Sequence, residues 1–272
     1  MSAPLPNWLQ RARADARQPP LRARLPLFAD GYHVGSVEHG ILDEIVIHSL
    51  LDVRYKLSMQ ERFASPVWCL EAQHGELTAA FDALARALRA LGHCGPWRNE
   101  QLAVCTAQGK CLGTIERGLV RVLGIATQAV HLVGLAPGGR MWVQQRAFDK
   151  PNNPGQWDTL MGGMVSAADT LDQALARETW EEAGLRMSAL VDVVHGGQVD
   201  FERPSREGGG TGYMRERIDW FSAVVPEGRV PRNQDGEVAC FELLPFEAVR
   251  ERVVQGLFTP EATLVLAACW RL

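Results

Sequence analysis

Gly163 to Leu185 reads GMVSAADTLDQALARETWEEAGL, and it carries a full set of signals for one helix plus a chemistry that a plain helix does not need. Gly162 and Gly163 close a strand-like run and permit backbone approaches that a side chain would block. Thr170 followed by Gln173 fits the S/T-x-x-E/Q capping box, with Thr170 at the N-cap. Residues between Leu171 and Ala183 favour helix, and Gly184 suits a stop in the left-handed region. Leu171, Ala174, Leu175 and Thr179 recur at three- and four-residue steps, which makes a core-facing stripe. Glu178, Glu181 and Glu182 stand at i, i+3 and i+4, so their carboxylates share another face.

That acidic face is unfavourable by itself. Like charges at this spacing repel by roughly 0.2–0.5 kcal/mol per pair, and they lie in the last turns, where the helix dipole prefers cations. A bound hard cation reverses both penalties, and an oxygen-only donor set suits Mg²⁺ or Mn²⁺. A lone Glu-Glu pair is ordinarily a solvated surface. The preceding Gly-Gly, the spaced Arg177 and the terminal Gly184 favour metal binding instead.

Outward from this segment, the 272 residues are 46% hydrophobic and 22% charged, with a net charge of −4. Such weak acidity gives no support for a nucleic-acid or anionic-membrane partner. No apolar run approaches the roughly 20 residues of a membrane span. Pro4, Pro6, Asn7, Arg11, Arg13 and Arg17 interrupt any apolar secretory stretch at the start, so a cytoplasmic location is expected. Cys69, Cys94, Cys105, Cys111, Cys240 and Cys269 form no CxxC pair and no zinc-like spacing, and reduced thiols are expected. His131, in an apolar run, reads as a core or strand residue. The sequence does not fix an oligomeric state, a homodimer being one option.

Pro4 to Pro26 is rich in Arg and Pro, an extended lead-in with one short helix around Trp8 to Ala16. Phe28 to Val37 has strand character with a turn near Gly31. Leu77, Phe81, Leu84, Leu88 and Leu91 form one apolar helical stripe, ended by Gly92. Leu102 to Thr106, Lys110 to Ile115 and Val120 to Leu123 read as short strands between glycine turns. Val130 to Leu135 and Met141 to Arg146 follow as two strands joined at Pro137-Gly138-Gly139. A domain boundary is placed just before them, giving an N-terminal domain over 1–123 and a second domain over 124–272. Leu190 to Asp200 and Arg217 to Val225 are strand-like, and Phe246 to Gln255 and Ala262 to Trp270 are helical. Ser205 to Gly212 reads as a loop that either closes over substrate or is a plain hairpin connection.

Arg177-Glu178-Thr179-Trp180-Glu181-Glu182-Ala183-Gly184-Leu185 resembles the end of a Nudix box, G-x5-E-x7-R-E-U-x-E-E-x-G-U, where U is a bulky apolar residue. The spacing is kept throughout; Asp169 replaces the usual Glu and Thr179 the usual aliphatic. The resemblance implies an α/β fold, a Nudix α/β/α sandwich with a mixed sheet, preceded here by a smaller α+β domain. It also implies hydrolysis of a diphosphate linked to another group, with Mg²⁺ or Mn²⁺ as cofactor. Flanking residues, among them Lys150, Trp157 to Val165, Asn233, Asp235 to Val238, Phe241 and, earlier, Gly113 and Ile115 to Arg117, resemble one Nudix subgroup. Its N-terminal domain is related to a segment found beside thiamine pyrophosphokinase. For that subgroup the implied substrate is thiamine diphosphate or its oxidised analogues, cleaved to the monophosphate plus phosphate.

Carried over by position, Glu178 and Glu182 are the implied leading metal ligands, with Glu181 as a third and the Gly162 carbonyl as a backbone ligand. Glu181 and Glu182 also enter the catalytic set, with Glu237 as general base or further ligand and Arg177 orienting Glu178 or the helix start. Asp169, one methylene shorter than Glu, belongs to that pairing. Arg146 and Lys150 are candidates for binding phosphate oxygens. Trp157 is a candidate for substrate contact, and Phe201, Tyr213 and Trp220 are further stacking candidates, with a core role competing for each. The partner expected is a small-molecule diphosphate. A nucleoside diphosphate derivative such as oxidised dGDP or ADP-ribose is the alternative substrate, and a non-catalytic ligand sensor the alternative class.

Overall fold

A computed structural model describes residues 5–47, 50–62, 64–72 and 75–272, so Pro4 of the expected lead-in lies outside the described residues. The chain opens with α1 (Asn7–Ala16), then β1 (Arg24–Ala29), β2 (Tyr32–Glu38), α2 (Ile41–Ile47), β3 (Tyr55–Arg62), β4 (Ser65–Ala72) and α3 (Leu77–Ala90). The hairpin β5 (Gln101–Cys105) and β6 (Cys111–Glu116) leads into one turn of helix, α4 (Arg117–Val120). The first four strands form one sheet in the order β2-β1-β4-β3, and β5 and β6 pair with each other. Leu77, Phe81, Leu84 and Leu88 of α3 are buried against this sheet, as their spacing requires. Gly31, at φ 85°, makes the tight β1–β2 turn.

Two expectations for this half are corrected. Val120 to Leu123 is not a strand: α4 and the turn after it close with Leu123 N–H donating to Leu119 O at 3.0 Å. Leu119, Val120, Val122, Leu123 and Ile125 are all buried, and an unbroken apolar run does not distinguish strand from buried helix. Nor are all the cysteines reduced. Cys105 and Cys111 face each other across the β5–β6 register and form a disulfide, while Cys69, Cys94, Cys240 and Cys269 are free.

The second body is built on β7 (Ala126–Ala136), β8 (Arg140–Arg146), β9 (Trp157–Asp158) and β10 (Met161–Met164), followed by α5 (Leu171–Ala183). Then come β11 (Val191–Ser205), α6 (Glu207–Gly210), β12 (Gly212–Val224), β13 (Val238–Pro245), α7 (Phe246–Val254) and α8 (Pro260–Cys269). The sheet runs β11-β12-β7-β8-β13, with β10 added to β7 and β9 to β8. It is mixed, because β7 and β12 are parallel and β7 and β8 antiparallel.

Side chains alternate across its two faces with the period of two that a strand imposes. Val130 and Leu132 join Ala174 and Leu175 of α5 on one side. Ala129 and Val133 join Val249 of α7 and Val265 of α8 on the other. Helices therefore cover both faces, which is the α/β/α sandwich expected. Leu9 and Ala16 of α1 belong to the α8 side, so the chain's first helix packs on the second body. Ser205 to Gly212 is a short hairpin connection, with Gly208 packed so closely on Val122 that an added Cβ would meet it at 2.5 Å. Among the described residues no helix is long and apolar enough to cross a membrane.

Candidate active site

The α5 segment is positioned by its own sequence. Thr170 accepts from Gln173 N–H, Gln173 returns the bond to Thr170 N–H at 2.8 Å, and Gly184 stops the helix at φ 63°. With its apolar stripe on the sheet, α5 turns its glutamates toward Gly162 and Gly163 of β10. Glu182 is 3% exposed, and its Oε2 accepts from Gln144 Nε2 at 2.8 Å and from Gly162 N–H at 3.0 Å. Glu178 lies against Gly163, where an added Cβ would stand 2.0 Å from its carboxyl carbon. Gly163 is thus a cradle for a carboxylate.

Arg177 organises the rest. Its Nε donates to Asp169 at 2.9 Å, its Nη1 to Glu178 at 2.8 Å and to Glu181 at 3.0 Å, and its Nη2 to the Met164 carbonyl at 3.1 Å. Aspartate reaches this guanidinium despite its shorter stem. Burial works against the Arg177 charge, but Glu178, Asp169 and Glu181 outweigh it and hold the group above the ordinary arginine value.

Burial pushes Glu178 up to about 7, against the opposing pull of Arg177. Burial likewise raises Glu182 to about 8, with the Gln144 and Gly162 hydrogen bonds only partly offsetting it. These two carboxyls, one helical turn apart, resist ionisation because burial removes more solvation than their neighbours replace. The cavity they share has a volume of about 290 Å³ and is lined by seven carboxylates and four cations. An anionic substrate meets an excess of negative charge there unless cations accompany it.

The donor set therefore suits a hard divalent ion: carboxylates, with backbone oxygen beside them. Among the described residues no three His, Cys, Asp or Glu side chains form a ligand set as they stand, because Arg177 lies between Glu178 and Glu181. Gln144 Oε1 is buried beside Glu182 with no partner among the described residues.

The structure brings Arg146, Lys150, Gly162, Arg177, Glu178, Glu181, Glu182 and Glu237 to this one cavity. Lys150 is ion-paired with Glu237. Burial would raise Glu237, but the Lys150 hydrogen bond and charge prevail and hold it below the usual carboxylate range. Arg146 donates to the Asn152 carbonyl at 3.2 Å and lies 3.8 Å from Asp158.

Trp157 is the exception among the expected site residues. It lies outside the cavity, with Arg252 over its ring at 4.3 Å and its backbone N–H bonded to Leu257. Phe201 and Trp220 are buried in the sheet core, and Tyr213 donates to the Gln18 carbonyl. Among the described residues no Trp, Tyr or Phe lines the cavity.

Glu100 and Glu216 on the cavity wall were not singled out by the sequence, and Arg117 and Asp235, named for the subgroup resemblance, and His131, read as a core or strand residue, carried no expected site role. His131, on β7, is buried beside Thr159, with Nδ1 and Oγ1 3.0 Å apart; burial holds it below the ordinary histidine value. It is the buried strand residue its apolar run suggests, and it also lines the cavity. Glu100 and Arg117 sit opposite each other at the end of the β5–β6 hairpin, a proximity visible only once the strands are paired.

A mixed sandwich with a glutamate-bearing helix over a Gly-Gly strand defines the class. The NUDIX domain family matches residues 126–262, half of the chain, and the chain belongs to the Nudix family. Among curated proteins it is 26% identical to an uncharacterised protein of Saccharomyces cerevisiae, over 68% of this chain and 58% of that protein. It is 27% identical to Nudix hydrolase 24, chloroplastic, of Arabidopsis thaliana, over 68% of this chain and 52% of that protein. A solved structure of a Deinococcus radiodurans protein aligns at 19% identity and a TM-score of 0.49, covering 62% of this chain and 99% of that one. The chain spans about half the length of the curated relatives it matches.

Proposed function

We propose that this chain is a metal-dependent diphosphatase acting on a small-molecule diphosphate, with thiamine diphosphate or its oxidised analogues as the leading substrates. The observation that carries the reaction class is the pair of carboxyls at the Gly162-Gly163 strand, Glu182 buried and Glu178 largely so, within a cavity that also holds four cations. Glu178, Glu182 and Glu181, with the Gly162 carbonyl, would hold the ion. The chemistry that Mg²⁺ or Mn²⁺ supplies when bound is neutralisation of diphosphate charge and Lewis-acid activation of water.

Arg177 fixes the rotamers of Glu178 and Glu181 and ties them to Asp169. Arg146 presents a guanidinium to phosphate oxygens. Glu237 is ionised at neutral pH and able to accept a proton, but its ion pair with Lys150 makes it a weak base. A phosphate that draws Lys150 away returns Glu237 toward ordinary basicity.

The substrate rests on the flanking residues that resemble the thiamine-pyrophosphokinase-associated subgroup, and we assign the N-terminal region, up to residue 123, to that type. Nucleoside diphosphate derivatives remain the alternative because no Trp, Tyr or Phe in the cavity selects a ring. The test is phosphate release from a panel of thiamine diphosphate, its oxidised forms, ADP, oxidised dGDP and ADP-ribose with Mg²⁺. Faster turnover of oxidised thiamine diphosphate than of nucleotides is expected; equal or slower turnover removes the thiamine assignment. Glu182→Gln should abolish Mg²⁺-dependent turnover, whereas in a ligand sensor it would leave binding largely intact.

A further inference from the structure

Four cations line the cavity, and they differ in how fully their donors are committed. Arg177 is engaged by three carboxylates and a carbonyl. Lys150 is held by Glu237, and Arg146 by the Asn152 carbonyl with Asp158 nearby. Arg117 is different, since among the described residues only Glu100 accepts from its guanidinium, through Nη1 at 2.7 Å. It also comes from elsewhere, because α4 lies before the stretch matched to the family.

Its position is built rather than incidental. Arg117 N–H donates to the Glu100 carbonyl at 2.8 Å, so backbone and side chain are both clamped to the same residue. The hairpin end is fixed in turn to the loop before α5, where Ala167 N–H donates to the Gln101 carbonyl at 2.8 Å. Arg117 is near enough for its charge to be felt at both Glu178, on α5, and Glu237, in the loop before β13. Glu100 takes Nη1 of the planar guanidinium, and among the described residues no acceptor holds the remaining N–H donors of this cavity-lining side chain. A guanidinium held this way is suited to phosphate oxygens, which it meets in a fixed, two-pronged geometry.

We propose that Arg117 is a substrate-binding residue supplied by the N-terminal region, positioned by Glu100, and that it selects diphosphate monoesters over diphosphate diesters. This rests on the diphosphatase reading above. A diphosphate monoester ends in a free phosphate with one more negative charge than the doubly substituted diphosphate of a diester. In a cavity with excess carboxylates, one further cation that still has donors to offer rewards that extra charge.

The experiment compares kcat and KM for thiamine diphosphate and ADP, both monoesters, with ADP-ribose, a diester, in the full chain with Mg²⁺. Arg117→Ala is expected to lower kcat/KM for the monoesters by about tenfold or more, the scale of a charge-assisted hydrogen bond. That loss falls mainly in KM, with the diester changed by less than about threefold. Arg117→Lys should recover part of the loss, and Glu100→Gln should give an intermediate one. A loss equal for both substrate classes, or no loss, overturns the proposal. Calorimetric titration with methylenediphosphonate provides a readout independent of turnover, with Arg117→Lys as a second, milder variant. Weakening of about tenfold in Arg117→Ala, with a smaller loss in Arg117→Lys, supports the proposal, and unchanged binding in a folded Arg117→Ala variant overturns it. Wild-type protein that binds this probe but hydrolyses no diphosphate refutes the diphosphatase reading instead.

Discussion

Glu182 pairs a buried carboxyl with a helix that has two more glutamates within a turn, and its raised pKa has a consequence for stability. The folded chain holds this carboxyl at about 8 against an ordinary value of 4.5, and Glu178 at about 7. Between those limits the folded state binds more protons than the unfolded one, so stability falls as pH rises from about 4.5 to 8. Thermal denaturation in EDTA should show Tm dropping across that window. Added Mg²⁺ should restore Tm most at the alkaline end, and Glu182→Gln should flatten the profile. A Tm that rises with pH in EDTA would contradict the burial argument. Gly163 gives a second residue-scale prediction. Its φ is not in the left-handed region, so alanine fits the backbone, but the new methyl would occupy the place of the Glu178 carboxylate. Gly163→Ala should cost about 1 kcal/mol or less in urea denaturation, since a flexible carboxylate can swing away. Turnover should fall by on the order of 100-fold, because the displaced group is a site carboxylate.

At the scale of elements, α5 was legible because every signal that defines it is local: cap, stripe, Gly184 and charge spacing. Thr170→Ala removes the N-cap acceptor and should cost about 1 kcal/mol, seen as a Tm lower by roughly 2–4 °C; an unchanged Tm would mean the cap is redundant with packing. The strands β3 and β4 and the edge strand β13 were not anticipated. In β13 Ala239 and Cys240 are both exposed and Phe241 to Leu244 are all half-buried, without the alternation that marks a half-buried strand. The site shows the same division. The glutamates, Arg146, Lys150 and Glu237 could be found from a family spacing. Arg117 carries part of the subgroup resemblance, but its role was not legible there, because it depends on a hairpin register and on a junction between two bodies. Trp157 was misjudged for the opposite reason: an aromatic next to a motif carries no information on which way its strand faces, and here it faces Arg252.

At the scale of the whole molecule, the two bodies are joined by polar groups that are buried at the seam. Arg121 Nη2 donates to Glu216 at 2.7 Å, Thr127 donates to the same oxygen at 2.9 Å, and Arg24 donates to the carbonyls of Val122 and Thr211. Burial would raise Glu216, but Arg121 holds it below its ordinary value. Arg121→Met leaves that carboxylate buried and unpaired, which should destabilise the protein by about 3–5 kcal/mol in urea denaturation. Adding Glu216→Leu should return much of that loss, and a double variant no more stable than the single would show that the pair is not the source. The α1 helix imposes a different condition. Leu9 and Ala16 pack with Ala262 and Val265, and Arg13 donates to the carbonyl of Leu272, 259 positions further along the chain. On a ribosome adding about 5–20 residues per second, α1 therefore emerges roughly 10–50 s before its partner helix exists. Through that interval its apolar face lacks the α8 surface, with only β11 able to meet it earlier, and the second body closes only after α8 has left the exit tunnel.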